Sequence, residues 1–127
     1  MKKVINTPYA PAPIGPYSQA ILNGDQLYIS GQIAIDPKTG ELKTADITTE
    51  TNQVMENLKA ILGAAGMDFS SVVKTSIFIT DMNDFAKINA AYGSFFQNDY
   101  APARETVQVS ALPKNVHVEI SMIAIKL

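Results

Sequence analysis

Two charged side chains near the C-terminus have the chemistry to bind and process a small molecule. Arg104 lies near the start of the segment PARETVQVS, and Glu119 lies inside the apolar run VHVEISMIAI. A planar guanidinium binds a carboxylate through two parallel hydrogen bonds, a geometry that lysine lacks. A carboxylate among apolar residues is disfavoured unless it is paired or used, and partial burial raises its pKa so that it can take a proton from water.

Both residues also have an ordinary structural interpretation. Arg104 can be a surface arginine beside a strand, and Glu119 can be half of an ion pair with a lysine or an arginine. The two can equally be each other's partner, which would satisfy the structural and the functional interpretation together. Other polar residues are less specific. Tyr17 can be a packing anchor or a ring that covers a ligand, and Asn89 can simply cap or decorate a helix.

The composition excludes several other kinds of site. The chain has no cysteine and one histidine, His117, so disulfides, thiolate nucleophiles and cysteine-rich or histidine-rich metal sites are excluded, and we expect no bound metal. We expect His117 to be a surface or interface side chain rather than a catalyst. The net charge of −2 offers no attraction to phosphate backbones, so we expect no nucleic-acid partner. The sequence also has no phosphate-binding loop motif and no nucleophile elbow.

Length and composition predict a single globular domain over residues 1–127. Hydrophobic residues make up 46% of the chain and charged residues 17%, which is enough apolar material for a core. The N-terminal MKKVINTPYAPAP has no apolar stretch behind its lysines, and no run approaches the ~20 apolar residues of a membrane span. We therefore expect a soluble, cytoplasmic protein without a membrane partner.

Hydrophobic periodicity predicts the order β-β-α-β-α-β-β and an α+β sandwich with both helices on one sheet face. A proline-rich ordered loop over 7–18 leads into a hairpin about Asn23-Gly24-Asp25, a strong turn signal. Gly31 interrupts the strand LYISGQI, which indicates a bulge or a close backbone approach. The predicted elements are strands over 18–23 and 26–35, a helix over 46–65, a strand over 71–80, a helix from Asp81 that includes Phe95 and Phe96, strands over 103–109 and 115–126, and a short extra strand over 3–6.

The last strand is predicted to present two different faces. Its uniformly apolar set faces the helices: Val116, Val118, Ile120, Met122 and Ala124. Its opposite set is polar at one end and apolar at the other, and Ser76 and Phe78 of the central strand extend the pattern: His117, Glu119, Ser121, Ile123 and Ile125. Apolar residues on this face would be covered most simply by other copies of the chain. We therefore predict an oligomer whose sheets face its axis, with Arg104, Ser30 and Glu119 in or near subunit clefts.

Five stretches, which together span almost the whole chain, are specific in combination: APAPIGPYSQAI, LYISGQIAIDPKTGE, TNQVMENLKAILGAAG, VVKTSIFITDMNDFAKINAAYGSFF and PARETVQVSALPKNVHVEISMIAI. The most specific part is PAR-x-x-V-x-V followed by LPK and VEI. In these stretches the chain resembles the YjgF/YER057c/UK114 family, also called Rid, and is most similar to its RidA branch of enamine and imine deaminases.

The resemblance implies a chorismate-mutase-like (Bacillus-type) fold, in which a mixed sheet carries two helices on one face, and a homotrimer whose sheets pack around the axis. It implies three active sites, each in a cleft between neighbouring subunits, and a protein that needs no cofactor. The implied reaction is hydrolysis of 2-aminoacrylate and 2-aminocrotonate, or of their imine tautomers, to 2-oxo acids and ammonia. These reactive compounds are released by pyridoxal-phosphate dehydratases that act on serine and threonine.

The resemblance also implies roles in substrate binding. Arg104 would bind the substrate carboxylate through its fork, and the backbone amide of Gly31 would assist. Tyr17 would close over the substrate from a neighbouring subunit. Ser30 and Asn89 would line the pocket and support its polar groups.

The resemblance assigns the hydrolytic step to Glu119, which would hold and activate the attacking water together with the backbone carbonyl of Thr106. RidA-like proteins often carry a cysteine at the position of Thr106. Because this chain has a threonine there, a thiol-based redox role is excluded at this position. If the family uses only the carbonyl there, threonine is harmless. If the thiol tunes the pocket, then rate or substrate preference differs in this chain.

Two other functions stay open at this point. A ligand-binding module would hold a 2-oxo acid or an amino acid with the same Arg104 clamp and report metabolite levels without turnover. Glu119 distinguishes the two functions, because its loss should abolish hydrolysis and leave binding. A ribonuclease or translation inhibitor, an activity attributed to some relatives, is disfavoured by the acidic balance and the lone histidine.

Overall fold

The computed structural model describes residues 1–97 and 101–127, in which a six-stranded mixed sheet carries two α-helices. The elements are β1 (Lys2–Ile5), β2 (Ala20–Asn23), β3 (Gln26–Gln32), α1 (Ile47–Ala64), β4 (Val72–Ile79), α2 (Phe85–Gly93), β5 (Ala103–Gln108) and β6 (Val118–Ile125). This sequence of elements confirms the predicted order, with β1 as the extra strand. Neither helix in this part of the chain has the length and apolar character that crossing a membrane requires.

The sheet order places the C-terminal strand at the centre. The strands follow one another as β1-β2-β3-β6-β4-β5, so β5 and β6 are neighbours in sequence but are separated by β4. β5 runs parallel to β4, and all the other neighbouring strands are antiparallel. Glu119 therefore lies on a central strand, whereas Arg104 lies on an edge strand.

A tight turn joins β2 and β3, as predicted. Asn23 pairs with Gln26, and Gly24 between them has a φ of 61°. Glycine adopts this left-handed conformation without steric cost. β3 ends at Gln32 rather than at residue 35, and its pairing with β6 shifts register between Ile29 and Gln32.

Helix α1 forms as the sequence predicts. Oδ1 of Asp46 accepts a hydrogen bond from the backbone N–H of Thr49 at 2.8 Å and caps the first turn. Gly66, with a φ of 73°, ends the helix in the left-handed conformation. The apolar stripe that packs on the sheet is fully buried: Val54, Met55, Leu58, Ile61 and Leu62.

Helix α2 begins later and ends earlier than predicted. Asp81 caps a short 3-10 helix, Met82–Asp84, and α2 itself starts at Phe85. The side chain of Asp81 bonds the backbone two residues ahead, which competes with a regular first helical turn. Phe95 and Phe96 lie beyond the helix end but still pack against the core.

The two faces of β6 differ as predicted. All five residues predicted to face the helices are buried, whereas the alternate residues are partly or largely accessible. Strand neighbours on the accessible face include Tyr28, which is 45% exposed, and Val107, which is 43% exposed. We call this side of the sheet the uncovered face. β6 starts at Val118 rather than at residue 115, because Lys114 and Asn115 adopt positive φ values of 56° and 54° in a short 3-10 turn.

Candidate functional site

Glu119 lines a cavity of about 340 Å³. In β6 it lies opposite Phe78 of β4, on the uncovered face of the sheet. Tyr17, Ser30 and Gly31 line the same cavity. We call the part of the cavity lined by these four residues the glutamate pocket. The structure thus brings together four of the seven residues that were predicted to form the site.

The glycine in β3 is explained by the position of Glu119. A Cβ atom added to Gly31 would lie 2.8 Å from Cδ and 3.0 Å from Cγ of Glu119. These distances are too short for carbon atoms, so any larger residue here would displace the carboxyl group. The register shift between β3 and β6 occurs at the same place. Both predicted possibilities, an irregular strand and a close approach, are therefore present at Gly31.

The proline-rich loop holds the rim of the glutamate pocket. The hydroxyl of Ser30 donates to the carbonyl oxygen of Ser18 at 2.6 Å, which leaves the Ser30 oxygen as an acceptor. The hydroxyl of Tyr17 accepts the backbone N–H of Ile14 at 3.2 Å. Tyr17 is 47% exposed. Its ring is thus oriented at the mouth of the pocket, where a ligand or a neighbouring subunit can cover it.

Gln19 organises this loop, and the sequence analysis missed it. The residue is 2% exposed, and its side-chain oxygen accepts the backbone N–H of Thr7 at 2.8 Å. Its side-chain nitrogen donates to the carbonyl oxygens of Thr7, Ala10 and Pro11 at 3.0, 3.3 and 2.9 Å. Because proline residues leave the loop short of donors, one buried amide replaces the missing backbone partners. A glutamine directly after a proline-rich segment was the available signal.

Burial raises the pKa of Glu119 above its usual value, because desolvation disfavours the charged carboxylate. No lysine, arginine or histidine lies within ion-pair distance of Glu119 in the described part of the chain. A partly buried carboxyl without a cationic partner can accept a proton from water at a higher pH than an exposed one. The electrostatics of the pocket therefore suit a general base.

Arg104 lies on the other face of the sheet. It pairs with Thr75 of β4, whose side chain is fully buried under α2. Its guanidinium Cζ lies 5.2 Å from the ring centroid of Tyr92 and 5.8 Å from that of Phe85. These distances place the cation against two aromatic rings of α2. The prediction that Arg104 belongs to the uncovered face is therefore wrong.

The suggested pairing of Arg104 with Glu119 within one chain is also wrong. The pairing of Phe78 in β4 gives the physical reason. Phe78 lies opposite Glu119 in β6 and opposite Val107 in β5, so Glu119 and Val107 share a face. Because side chains alternate along a strand, Val107 lies on the uncovered face, whereas Arg104 and Thr106 lie on the helix face. The two charged groups are separated by the sheet itself.

Two polar side chains accompany Arg104 on the helix face. Thr106 follows Arg104 by two residues in β5, and Asn89 lies on α2 between Phe85 and Tyr92. The side-chain oxygens of Asn89 and Thr106 are buried and have no hydrogen-bond partner among the described residues. Buried polar atoms are rarely left unpaired, so these oxygens are available to a ligand or to another chain. We call Arg104, Thr106 and Asn89, with the two rings, the arginine cluster.

His117 is a surface side chain, as predicted, but it has a partner that the sequence analysis missed. Its side chain is 51% exposed, and Nδ1 lies 2.8 Å from Oε1 of Glu50, whose side chain is 1% exposed. The available signal for Glu50 was a carboxylate within the first turn of α1. Within residues 1–97 and 101–127, no three histidine, aspartate or glutamate side chains are arranged to hold a metal ion.

The fold is that of a small α+β protein with an arginine on the helix face of its sheet and a separate, partly buried glutamate on the uncovered face. The family model described as Endoribonuclease L-PSP matches residues 7–126. The chain therefore belongs to this family, the YjgF/RutC/Rid family.

Individual relatives agree with this assignment along nearly their whole length. A RutC family protein of Pyrococcus horikoshii is 56% identical over 126 residues, which cover 99% of both chains. The 2-iminobutanoate/2-iminopropanoate deaminase of Mus musculus is 48% identical over 126 residues, which cover 99% of this chain and 93% of the relative. The crystal structure of E. coli TdcF with bound serine superposes with a TM-score of 0.93 at 45% identity, covering 98% of this chain and 99% of TdcF.

Proposed function

We propose that this protein hydrolyses 2-aminoacrylate and 2-aminocrotonate, in their enamine or imine forms, to 2-oxo acids and ammonia. The family supports Rid-type imine deaminase activity, and a relative bearing that activity in its name is 48% identical along nearly the whole chain. The observation that carries the proposal is the position of Glu119, a partly buried carboxyl that lines a small cavity with Tyr17 and Ser30.

The placement of the two clusters supports a site between subunits. Arg104 and Glu119 are on opposite faces of one sheet, so neither cluster completes a site with the other inside one chain. A complete site forms when a second copy places its arginine cluster against the glutamate pocket of the first. The apolar residues of the uncovered face, such as Tyr28 and Val107, would be buried in the same assembly. We propose a homotrimer of chorismate-mutase-like subunits with three such sites.

Each residue has a role in this arrangement. Arg104 binds the substrate carboxylate through its fork, and the Gly31 backbone amide of the neighbouring subunit adds a second donor. The unpaired oxygens of Asn89 and Thr106 accept hydrogen bonds from the substrate or from its bound water. Ser30 lines the pocket from the neighbouring subunit, as does the ring of Tyr17, which covers the substrate and excludes bulk solvent.

The chemistry needs one proton acceptor and one positioned water. The enamine first takes a proton from water on its β-carbon and loses one from its nitrogen, which gives the imine. Glu119 then accepts a proton from water while the oxygen attacks the C=N carbon, which gives a tetrahedral carbinolamine. Glu119 passes this proton to the nitrogen and then carries the hydroxyl proton of the carbinolamine to the same nitrogen. The C–N bond breaks, and ammonia leaves as the C=O bond forms. No electrons are exchanged with any other group, and Glu119 is regenerated as the carboxylate.

A coupled assay tests the activity directly. A threonine dehydratase generates 2-aminocrotonate in situ, semicarbazide traps the imine, and the protein is added at increasing concentration. We expect the protein to suppress trapping and to release 2-oxobutyrate and ammonia in equal amounts. Trapping that proceeds at the same rate with and without the protein would contradict the proposal.

A ligand-binding module remains the second candidate, favoured by the fact that TdcF was crystallised with serine bound. In that case the protein would bind 2-oxobutyrate or serine, but trapping by semicarbazide would be unaffected. Ribonuclease activity is the weaker alternative, since the net charge is −2 and a single histidine is present. We expect no steeply salt-dependent binding of RNA, which filter binding at two salt concentrations would measure.

Replacing the glycine beside Glu119 should impair catalysis more than stability. In Gly31→Ala the new Cβ would collide with the end of the Glu119 side chain, which can turn away at little cost. We expect kcat to fall about tenfold to a hundredfold, while the free energy of unfolding changes by less than about 1 kcal/mol. The coupled assay and urea denaturation measure the two effects.

Gly63 provides a matched control for this change. It lies in α1 with nothing within 4 Å of an added Cβ, so Gly63→Ala should leave kcat unchanged. The same substitution should stabilise the helix by about 0.5–1 kcal/mol. Introducing Gly31→Ala into a Glu119→Gln background should cause no further loss of kcat, because the displaced carboxyl is already gone. An additive loss would show that Gly31 acts otherwise.

The ring of Tyr92 should matter more for ligand binding than its hydroxyl. The ring lies under the Arg104 guanidinium, while the hydroxyl donates to Oγ1 of the buried Thr75 at 3.0 Å. Tyr92→Leu removes the ring, and we expect it to weaken 2-oxobutyrate binding about 3-fold to 30-fold. Tyr92→Phe keeps the ring, so the Kd should stay within about twofold while stability falls by about 1 kcal/mol. Calorimetric titration and thermal denaturation distinguish the two variants.

A further inference from the structure

A buried carboxylate outside both clusters holds the chain directly before Glu119. Glu50 lies in the first turn of α1 and is 0% exposed. Its Oε2 accepts the backbone N–H of His117 at 2.7 Å and that of Val118 at 3.1 Å. Its Oε1 contacts Nδ1 of His117 at 2.8 Å. Three contacts from one side chain thus fix the two residues that precede Glu119.

The carboxylate is better suited to this position than a neutral side chain. Both oxygens face nitrogen atoms, and two of these are backbone donors of fixed geometry. A glutamine would offer only one oxygen and would turn an N–H toward one of these nitrogens. Within residues 1–97 and 101–127, Glu50 has no lysine or arginine within ion-pair distance. The amides and the adjacent helix N-terminus compensate its burial instead.

The contacts link α1 to the point where β6 begins. The β6 strand starts at Val118, and the preceding segment turns through Lys114 and Asn115 in the left-handed region. A segment with such backbone geometry needs an external restraint to enter the sheet in one orientation. The Glu50 carboxylate supplies that restraint one residue before Glu119.

We propose that Glu50 is a positioning residue that sets the orientation of Glu119 in the pocket by anchoring the backbone of residues 117–118 to α1. The proposal rests on the proposed function of Glu119 as the base. Glu50 does not line the pocket, whose walls come from the proline-rich loop, from β3 and the segment after it, and from Pro113 and Glu119. Its loss should therefore lower kcat and leave carboxylate binding by Arg104 unchanged.

Two variants and one control test this. Glu50→Gln keeps the size and removes the charge, whereas Glu50→Asp keeps the charge and shortens the reach. Thr51→Val is the matched control, since Thr51 is fully buried in the same helical turn and its hydroxyl donates to the carbonyl of Ile47. We expect kcat to fall about tenfold in both Glu50 variants and to stay within about twofold in the control, with the Kd for 2-oxobutyrate unchanged in all three.

Amide hydrogen exchange and carboxyl-detected NMR supply readouts that do not need activity. We expect the Val118 amide to exchange at least about tenfold faster in both Glu50 variants than in the wild type. The Glu119 carboxyl should titrate closer to its ordinary pKa in both, because the group is less firmly buried. A change shared by both variants reports the lost anchor rather than the lost charge. If Glu50→Gln does not fold, Glu50→Asp alone carries the test.

The outcomes separate this proposal from the proposed function. Wild-type kcat and an unchanged Glu119 titration in the folded Glu50 variants would overturn the positioning role while the deaminase proposal stands. A wild-type protein that suppresses no trapping would overturn the deaminase proposal. In that event, faster Val118 exchange with a shifted Glu119 titration would still support positioning by Glu50, and an unchanged titration would overturn it.

Discussion

Replacing Arg104 by alanine is expected to lower kcat/KM for 2-aminocrotonate by about 10³-fold, mainly through substrate binding. Arg104 is the only arginine of the chain, and its guanidinium is held against two aromatic rings of α2. Two parallel hydrogen bonds to a carboxylate are lost together in the variant, and no neighbouring cation of the arginine cluster can replace them. The coupled assay gives kcat/KM, and calorimetric titration gives the Kd for 2-oxobutyrate.

A lysine at this position separates charge from geometry. Arg104→Lys keeps the cation but loses the planar fork and its stacking on Tyr92, so we expect an intermediate loss of about 30-fold. Lys87→Ala removes an exposed cation from α2 and should have no effect on either measurement. Full activity of Arg104→Ala would remove the carboxylate clamp from the mechanism and leave Arg104 as a packing residue.

Mixing two inactive variants tests whether the site is shared between subunits. Each site would draw Arg104 from one chain and Glu119 from its neighbour. Unfolding and refolding an equimolar mixture of Arg104→Ala and Glu119→Gln should therefore restore about a quarter of the sites in randomly assembled trimers. If each chain held a complete site, the mixture would stay inactive. The assembly itself can be measured by sedimentation.

The elements could be predicted from sequence because local chemistry specifies them. The Gly24 turn, the Asp46 cap and the apolar stripe of α1 all depend on neighbours within a few residues. The errors lie where two local preferences compete, as at Asp81, whose side chain captures a backbone amide and delays α2 until Phe85.

The relation between Arg104 and Glu119 could not be predicted in this way. Period-two alternation gives the parity of residues within one strand, but it does not relate the faces of two strands that pair through a third. β4 lies between β5 and β6, and only its register shows that the two charged groups point to opposite faces. The same limit applies to Gln19 and Glu50, whose partners are 8–12 and 67–68 residues away in sequence.

Replacing Glu119 by glutamine is expected to lower kcat by about 10³-fold while leaving the Kd for 2-oxobutyrate within about threefold. Glutamine has nearly the same shape and fills the space beside Gly31, but it cannot accept a proton from water. Glu56→Gln, an exposed change on α1, serves as the control and should have no effect. A Glu119→Gln variant that still suppresses trapping would assign the proton transfer to another group.

The pH dependence follows from the direction of the pKa shift. Burial raises the Glu119 pKa above its ordinary value of 4.5. As the pH falls, Glu119 therefore becomes protonated and stops acting as a base at a higher pH than an exposed carboxyl would. The acid limb of the wild-type kcat profile should therefore lie above pH 4.5, and the residual activity of Glu119→Gln should lack it. An acid limb at or below pH 4.5 would mean that another carboxyl controls the rate.

Stability should change in the opposite sense to activity. Because its pKa is raised on folding, the Glu119 carboxyl binds its proton more tightly in the folded protein than in the unfolded chain. The resulting penalty on the folded state is absent below pH 4.5, grows as pH rises from there, and is complete above the raised pKa. Glu119→Gln removes this penalty, so its Tm should exceed that of the wild type at pH 7 and match it below pH 4.5. A catalytic base in a buried pocket lowers the stability of the folded protein. A structural carboxylate would raise it, and the order of the two Tm values would be reversed.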